Sequence, residues 1–353
     1  MTRFCKRLGW TIVAGLSLGL SVLVTDHRAA NGTANAIGEQ VLRTLLTSPL
    51  GKTVPPATYA VTVIQKKEVN AWSNPTGRLQ IDTGILPVLG DDPGAWAAVI
   101  SHEIGHLVIF KGYGRYLPTF RSEVQEAYRQ TPAGQHDAGA AATLLSAPLS
   151  RGLVNLPLSQ EKEYEADRVG LLLMAEAGYH PDFAIAVHRS MGWLLHESGW
   201  EAREAHLMKA YDVALAIFHA RWPDPAQSPG GNPPPIGNFG DITATPDAKD
   251  RSVIFHTNFH VRNAAGREVR VAVILQEGKA LAKAVLPEYR SPGGSLEVNV
   301  ALPGASQMST EVAVRLPTAA VAGTHRRFKA VLYLIVGGKR IDVSQFVHVE
   351  LPE

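Results

Sequence analysis

Apolar positions first recur at helical spacing, at Ile37, Val41, Leu42, Leu45 and Leu46. The pattern then changes to two short extended runs, Tyr59–Gln65 and Arg78–Thr83, with the turn residues Asn74-Pro75-Thr76-Gly77 between them. Asp92-Pro93 opens a helix, because aspartate suits a cap and proline the first helical position. That helix runs through Trp96, Val99, Ile100, Ile104 and Leu107 to about Phe110. The stretch from Gly112 to Pro157 has a weaker pattern and predicts two helices, around Arg121–Arg129 and His136–Leu145. Leu158–Ala177 is helical again, stopped by Gly178 with Pro181 three residues on. Two further helices are expected over Pro181–His196 and Trp200–Arg221.

Beyond this α-rich block, ten of the eighteen residues from Pro223 to Gly240 are Pro or Gly, which marks a linker. Strand-like runs follow at Val253–Val261, Val269–Leu275, Leu296–Ala301, Glu311–Leu316, Phe328–Val336 and Val343–Val349. Short strands at this spacing predict a β-sandwich of about seven strands. The fold class is therefore α+β, a mainly helical unit with a small sheet followed by a β-sandwich-like unit.

The N-terminus puts Arg3, Lys6 and Arg7 before an uncharged run from Leu8 to Thr25. This is the order of a secretory signal, and the run also approaches bilayer-spanning length, so a cleaved signal and a retained anchor both stay open. The boundaries read as 1–36 for the export segment, 37–222 for the α-rich unit, 223–246 for the linker and 247–353 for the β-unit. The single cysteine, Cys5, lies before the apolar run, so the exported chain has no disulfide and no thiolate ligand or nucleophile. A net charge of +2 gives no electrostatic case for nucleic acid. The 353 residues, 45% of them hydrophobic, suffice for two buried cores.

Chemistry enters with His102-Glu103-Ile104-Gly105-His106. Two histidines four apart lie roughly 40° apart on one helix face, where they can bind one Zn²⁺. The intervening Glu103 can then serve as general base. Chance places such a motif only about 0.03 times in a chain of this composition. A third ligand must be His, Asp or Glu, and the acidic helix Gln160–Asp167 offers several. Glu163 and Asp167 are four apart on one face with Gly170, whereas Glu161 and Glu165 each lie about 200° from Glu163. Glu163 therefore reads as the ligand and Asp167 as the acceptor that fixes a ligand histidine. Gly105 and Gly170 would let the two helices approach closely.

These blocks resemble one family. Asn70-Ala71-Trp72, Gly77–Leu86 and Ala97–His106, followed by Glu163–Gly170 and Ala177-Gly178-Tyr179-His180-Pro181, are similar to metallopeptidase family forty-eight. This gluzincin family includes HtpX, BepA and the CAAX prenyl proteases. The likeness covers roughly residues 35–220 and implies one Zn²⁺ per chain on His102, His106 and Glu163, with Glu103 and Asp167 functional. It further implies that Arg78–Thr83 is an edge strand that receives an extended substrate peptide by β-augmentation. Relatives carry a His-Pro segment with a downstream Arg. Here the nearest match is His196 with Arg203, without the proline and one residue too long, so a transition-state donor stays open between His196 and His206. His136, His180, His188 and His219 lack paired ligands and receive no role. His256 and His260 lie about 13 Å apart along a strand, too far to share a metal.

The expected function is a zinc-dependent endopeptidase of the bacterial envelope or periplasm, acting on extended or unfolded polypeptide in protein quality control. The alternatives are a chaperone-like binding or assembly module with gated proteolysis, and a β-unit that docks on a membrane or an envelope protein. No oligomeric state follows from the sequence.

Overall fold

The structure, a computed structural model, describes residues 27–109, 116–137, 139, 160–195, 200–277, 280–291, 295–323 and 326–352. The first 26 residues of the export segment expected at 1–36, with Cys5, most of the helix expected at His136–Leu145, and His196 lie outside the described residues.

The first half builds on α1 (His27–Thr47), α2 (Pro93–Ile109), α3 (Leu117–Arg129), α4 (Gln160–Glu176), α5 (Asp182–Leu195) and α6 (Trp200–Arg221). Asp92 caps α2 by accepting the Gly94 N–H at 3.0 Å. Helix α2 is buried almost all round, as a central helix must be, and carries the fully enclosed Trp96. Gly178, at φ +94°, ends α4 in the left-handed region. There the Tyr179 N–H reaches the Met174 carbonyl and the Gly178 N–H the Ala175 carbonyl, closing a Schellman cap.

Against α1 and α2 lies a three-stranded sheet of β1 (Ala60–Ile64), β2 (Ala71–Ser73) and β3 (Arg78–Asp82), in the order β1-β3-β2. Strand β3 runs parallel to β1 and antiparallel to β2. It is the middle strand, which corrects the expectation that Arg78–Thr83 is an edge. Only three residues long, β2 is too short to carry an alternating pattern, and it takes the edge position. The opposite edge is occupied by side chains of α1. Glu39 accepts the Val61 N–H and Asn35 the Val63 N–H, both at 2.8 Å.

The second half contains β4 (Ile236–Asp247), β5 (Ser252–Arg262), β6 (Glu268–Glu277), β7 (Ala280–Leu281), β8 (Glu297–Pro303), β9 (Gln307–Pro317), β10 (Arg327–Val336), β11 (Lys339–Val343) and β12 (Val347–Glu350). One sheet has the order β4-β5-β9; the other is centred on β10 and β6. Both sheets feed one core, from Phe255, Phe259 and Val314 on one side to Val271, Leu332 and Leu334 on the other. The fold is α+β, with a sandwich-like second half.

Two sequence expectations change here. Strand β4 begins inside the Pro/Gly-rich stretch, so the linker is shorter than residues 223–246. It is an edge strand with a bulge near residues 239–242, where glycine and Pro246 are tolerated. The run expected at Val343–Val349 is divided between β11 and β12.

Candidate metal centre

Helices α2 and α4 cross at close range. A Cβ on Gly105 would lie 2.5 Å from the Ala166 carbonyl oxygen, and one on Gly170 would lie 2.8 Å from the His102 nitrogen. Both glycines do what their positions on the two faces predicted. This approach sets the His102–His106 face opposite Glu163 and Asp167.

His102, His106 and Glu163 each offer one donor atom, and these atoms lie within 4.8 Å of one another. The Glu163 carboxylate is 3.5 Å from Nε2 of His102 and 3.5 Å from Nε2 of His106. The two imidazoles meet edge to face, with centroids 4.6 Å apart. Behind them, Asp167 Oδ1 is 2.7 Å from Nδ1 of His102. That contact turns Nε2 toward the cluster, the tautomeric control that a ligand histidine needs. Two imidazole nitrogens and a carboxylate, half-buried and convergent, fit Zn²⁺.

The charges are strongly coupled. Burial pulls the His102 imidazole down, but the carboxylates of Asp167 and Glu163 outweigh it and raise it to about 10. His106 goes the other way, to about 4, because burial and then the neighbouring His102 charge disfavour a second cation. Burial works against the Glu163 carboxylate, yet His102, His106 and Arg203 together hold it down at about 2. Asp167 lies well below the usual range, its burial overcome by His188, Arg203 and His102. Glu103 is enclosed and pushed upward, mainly by burial. Its main-chain carbonyl accepts the Ser73 hydroxyl of β2 at 3.0 Å, which ties the sheet edge to the motif.

Two residues join the cluster that sequence reasoning did not place there. His188 of α5 brings Nε2 within 3.2 Å of Asp167 Oδ1, which corrects its reading as a histidine without a role. Arg203 of α6 closes a two-pronged contact with Asp167 at 2.6 and 2.8 Å and lies 3.2 Å from Glu163. A lone histidine such as His188 carries no spacing signal; Arg203, named from the sequence only as the nearest match to the relatives' downstream Arg, is brought to Asp167 by the helix arrangement. His206, a candidate donor, instead stacks flat on Tyr164 with centroids 4.0 Å apart.

The residues of this cluster fall in a region of the chain that is similar to known proteins. The profile of peptidase family M48 matches residues 34–245. Mitochondrial metalloendopeptidase OMA1 of Arabidopsis thaliana is 34% identical over 137 residues, 38% of this chain and 26% of that protein. The protein of the same name from Schizosaccharomyces pombe is 33% identical over 161 residues, 44% of this chain and 41% of its own length. The chain thus spans less than half the length of these curated relatives. A solved Pseudomonas fluorescens alkylpurine DNA glycosylase AlkC, bound to DNA with an abasic site analogue, aligns over 74% of this chain and 71% of its own. At 13% identity and a TM-score of 0.19, that likeness carries no argument. The family profile covers more than half of the 353 residues and includes every residue of the cluster, so the chain belongs to peptidase family M48.

Proposed function

We propose that this chain is a zinc-dependent endopeptidase that cleaves extended or unfolded polypeptide. The observation that carries the reading is the convergence of His102, His106 and Glu163, with Glu103 enclosed on the same helix turn. These three side chains would hold one Zn²⁺, which when bound lowers the pKa of water and polarises the scissile carbonyl. Glu103 takes the proton of the attacking water and returns it to the leaving amine. Burial favours that role, since a carboxyl raised from its ordinary value is a better proton acceptor near neutrality. Asp167 holds His102 in orientation, while Arg203 balances the carboxylates of Asp167 and Glu163.

The binding strand moves from β3 to β2. Asp82 donates to the Asn70 carbonyl and Asn74 to the Arg78 carbonyl, both at 3.0 Å. Residues 70, 72 and 74 therefore bond inward, and the main-chain groups of Ala71 and Ser73 face outward, where an extended peptide can add. Among the described residues no strand pairs with that edge. The basic residues and apolar run before residue 26 support placement in a bacterial envelope, where quality control of misfolded chains suits recognition by main-chain bonds. Among the described residues no helix is long and apolar enough to cross a membrane.

The test is Glu103→Gln in the purified chain. Zinc content should stay at one per chain while casein turnover falls at least ~100-fold. A folded, zinc-loaded variant with full turnover would overturn the reading.

A further inference from the structure

We infer that the C-terminal β-unit is a positioning element of the metal centre, acting through α5. The inference rests on the zinc reading above and assigns a role to a part of the chain that carries none of His102, His106 and Glu163. Asp182, the first residue of α5, is almost fully enclosed. Its carboxylate accepts from Tyr211 of α6 at 2.6 Å. From the end of β5 it accepts from Arg262 at 2.6 Å and from Asn263 at 2.8 Å. Arg262 also lies over the Tyr211 ring, 5.1 Å from its centroid. Removing such partners leaves a buried carboxylate uncompensated, so the start of α5 is bound to the β-unit.

Two turns along α5, a second attachment is coupled to the site. Arg189 donates to the Gly237 carbonyl of β4 and pairs with Glu204 of α6 at 2.6 and 3.0 Å. The residue before Arg189 is His188, and the residue before Glu204 is Arg203. Both of these close on Asp167. On each helix, then, one residue meets Asp167 and the next locks the other helix. A slip of α5 along α6 would break the Arg189–Glu204 pair and withdraw His188 from Asp167 together. Strand β4 and the β5 terminus oppose that slip, and so they hold the carboxylate that orients His102.

The experiment uses the full chain with Arg262→Met, Asn263→Ala, His188→Ala and the double variant Arg262→Met/His188→Ala. The readouts are zinc affinity by competition with a chromophoric chelator, and kcat and KM on a quenched peptide. Circular dichroism melts confirm folding. Arg262→Met and Asn263→Ala should each weaken zinc binding, up to ~10-fold, and lower kcat while KM stays within about twofold. Arg262→Lys should restore most of the loss. The double variant should be no worse than His188→Ala alone, because both act along one path. Folded variants with wild-type zinc affinity and kcat would overturn the inference, as would additive losses in the double variant. If Arg262→Met does not fold, Asn263→Ala, which removes the side-chain bonds to Asp182 and to the Pro234 carbonyl, decides by the same criteria. A wild-type chain that binds no zinc would overturn the endopeptidase reading and this inference together; zinc binding with unresponsive β-unit variants overturns the inference alone.

Discussion

Gly105 lies between His102 and His106 in the sequence and against the Ala166 carbonyl, and it has no room for even a methyl group. Gly105→Ala should therefore cost about 1–3 kcal/mol, because the atom met is backbone and cannot rotate away. The expected result is a thermal midpoint lowered by several degrees and weaker zinc retention, read by calorimetry and chelator competition. An unchanged melt would show that α2 and α4 can part without cost. At this scale the sequence was legible where chemistry is local. His102, Glu103 and His106 fall within five residues, and Glu163 and Asp167 within one helix turn and a little more. His188 was not legible, and Arg203 only as an inexact match to the relatives' downstream Arg, since their meeting with Asp167 depends on how α5 and α6 cross α4.

Among elements, the long periodic helices and the alternating strands could be read, and the short pieces could not. A three-residue strand such as β2 shows one alternation at most, so its pairing with β3 leaves no trace in the hydrophobic pattern. Strand β4 was hidden for another reason: its glycines and Pro246 spell a linker, yet an edge strand tolerates them. The corrected sheet order yields a direct test. Ala71→Pro removes an outward-facing donor of β2 and leaves the bonds to β3 intact. KM for a long unstructured peptide should rise several-fold in a folded variant, while the zinc content is unchanged. Equal KM values would argue against strand addition at β2.

For the molecule as a whole, the meeting of α5, α6 and the β-unit gives a pH dependence. His180 is enclosed and held down at about 4 by burial, with His219 and Arg262 adding to the effect and Asp182 opposing it. Its ring accepts the Asp182 N–H at 3.2 Å. A histidine kept neutral in the folded state favours folding above its unfolded value of about 6.5, and that contribution is lost as pH falls through 6.5 toward 4. About 3 kcal/mol is at stake over the window. Urea midpoints should fall across it in the wild type. His180→Asn, which keeps an acceptor for Asp182, should show a flatter profile; parallel profiles would contradict the assignment.

The side-chain seal on β1 has a consequence for self-association. A sheet with two free margins is a template that copies can extend indefinitely, whereas this one has Glu39 and Asn35 seated on one margin and offers only three residues on the other. An extended chain can therefore pair only beside β2, over three residues, and the β1 margin offers no second place for it. On the function proposed above, the sheet would thus take up one extended chain at a time, at β2 alone.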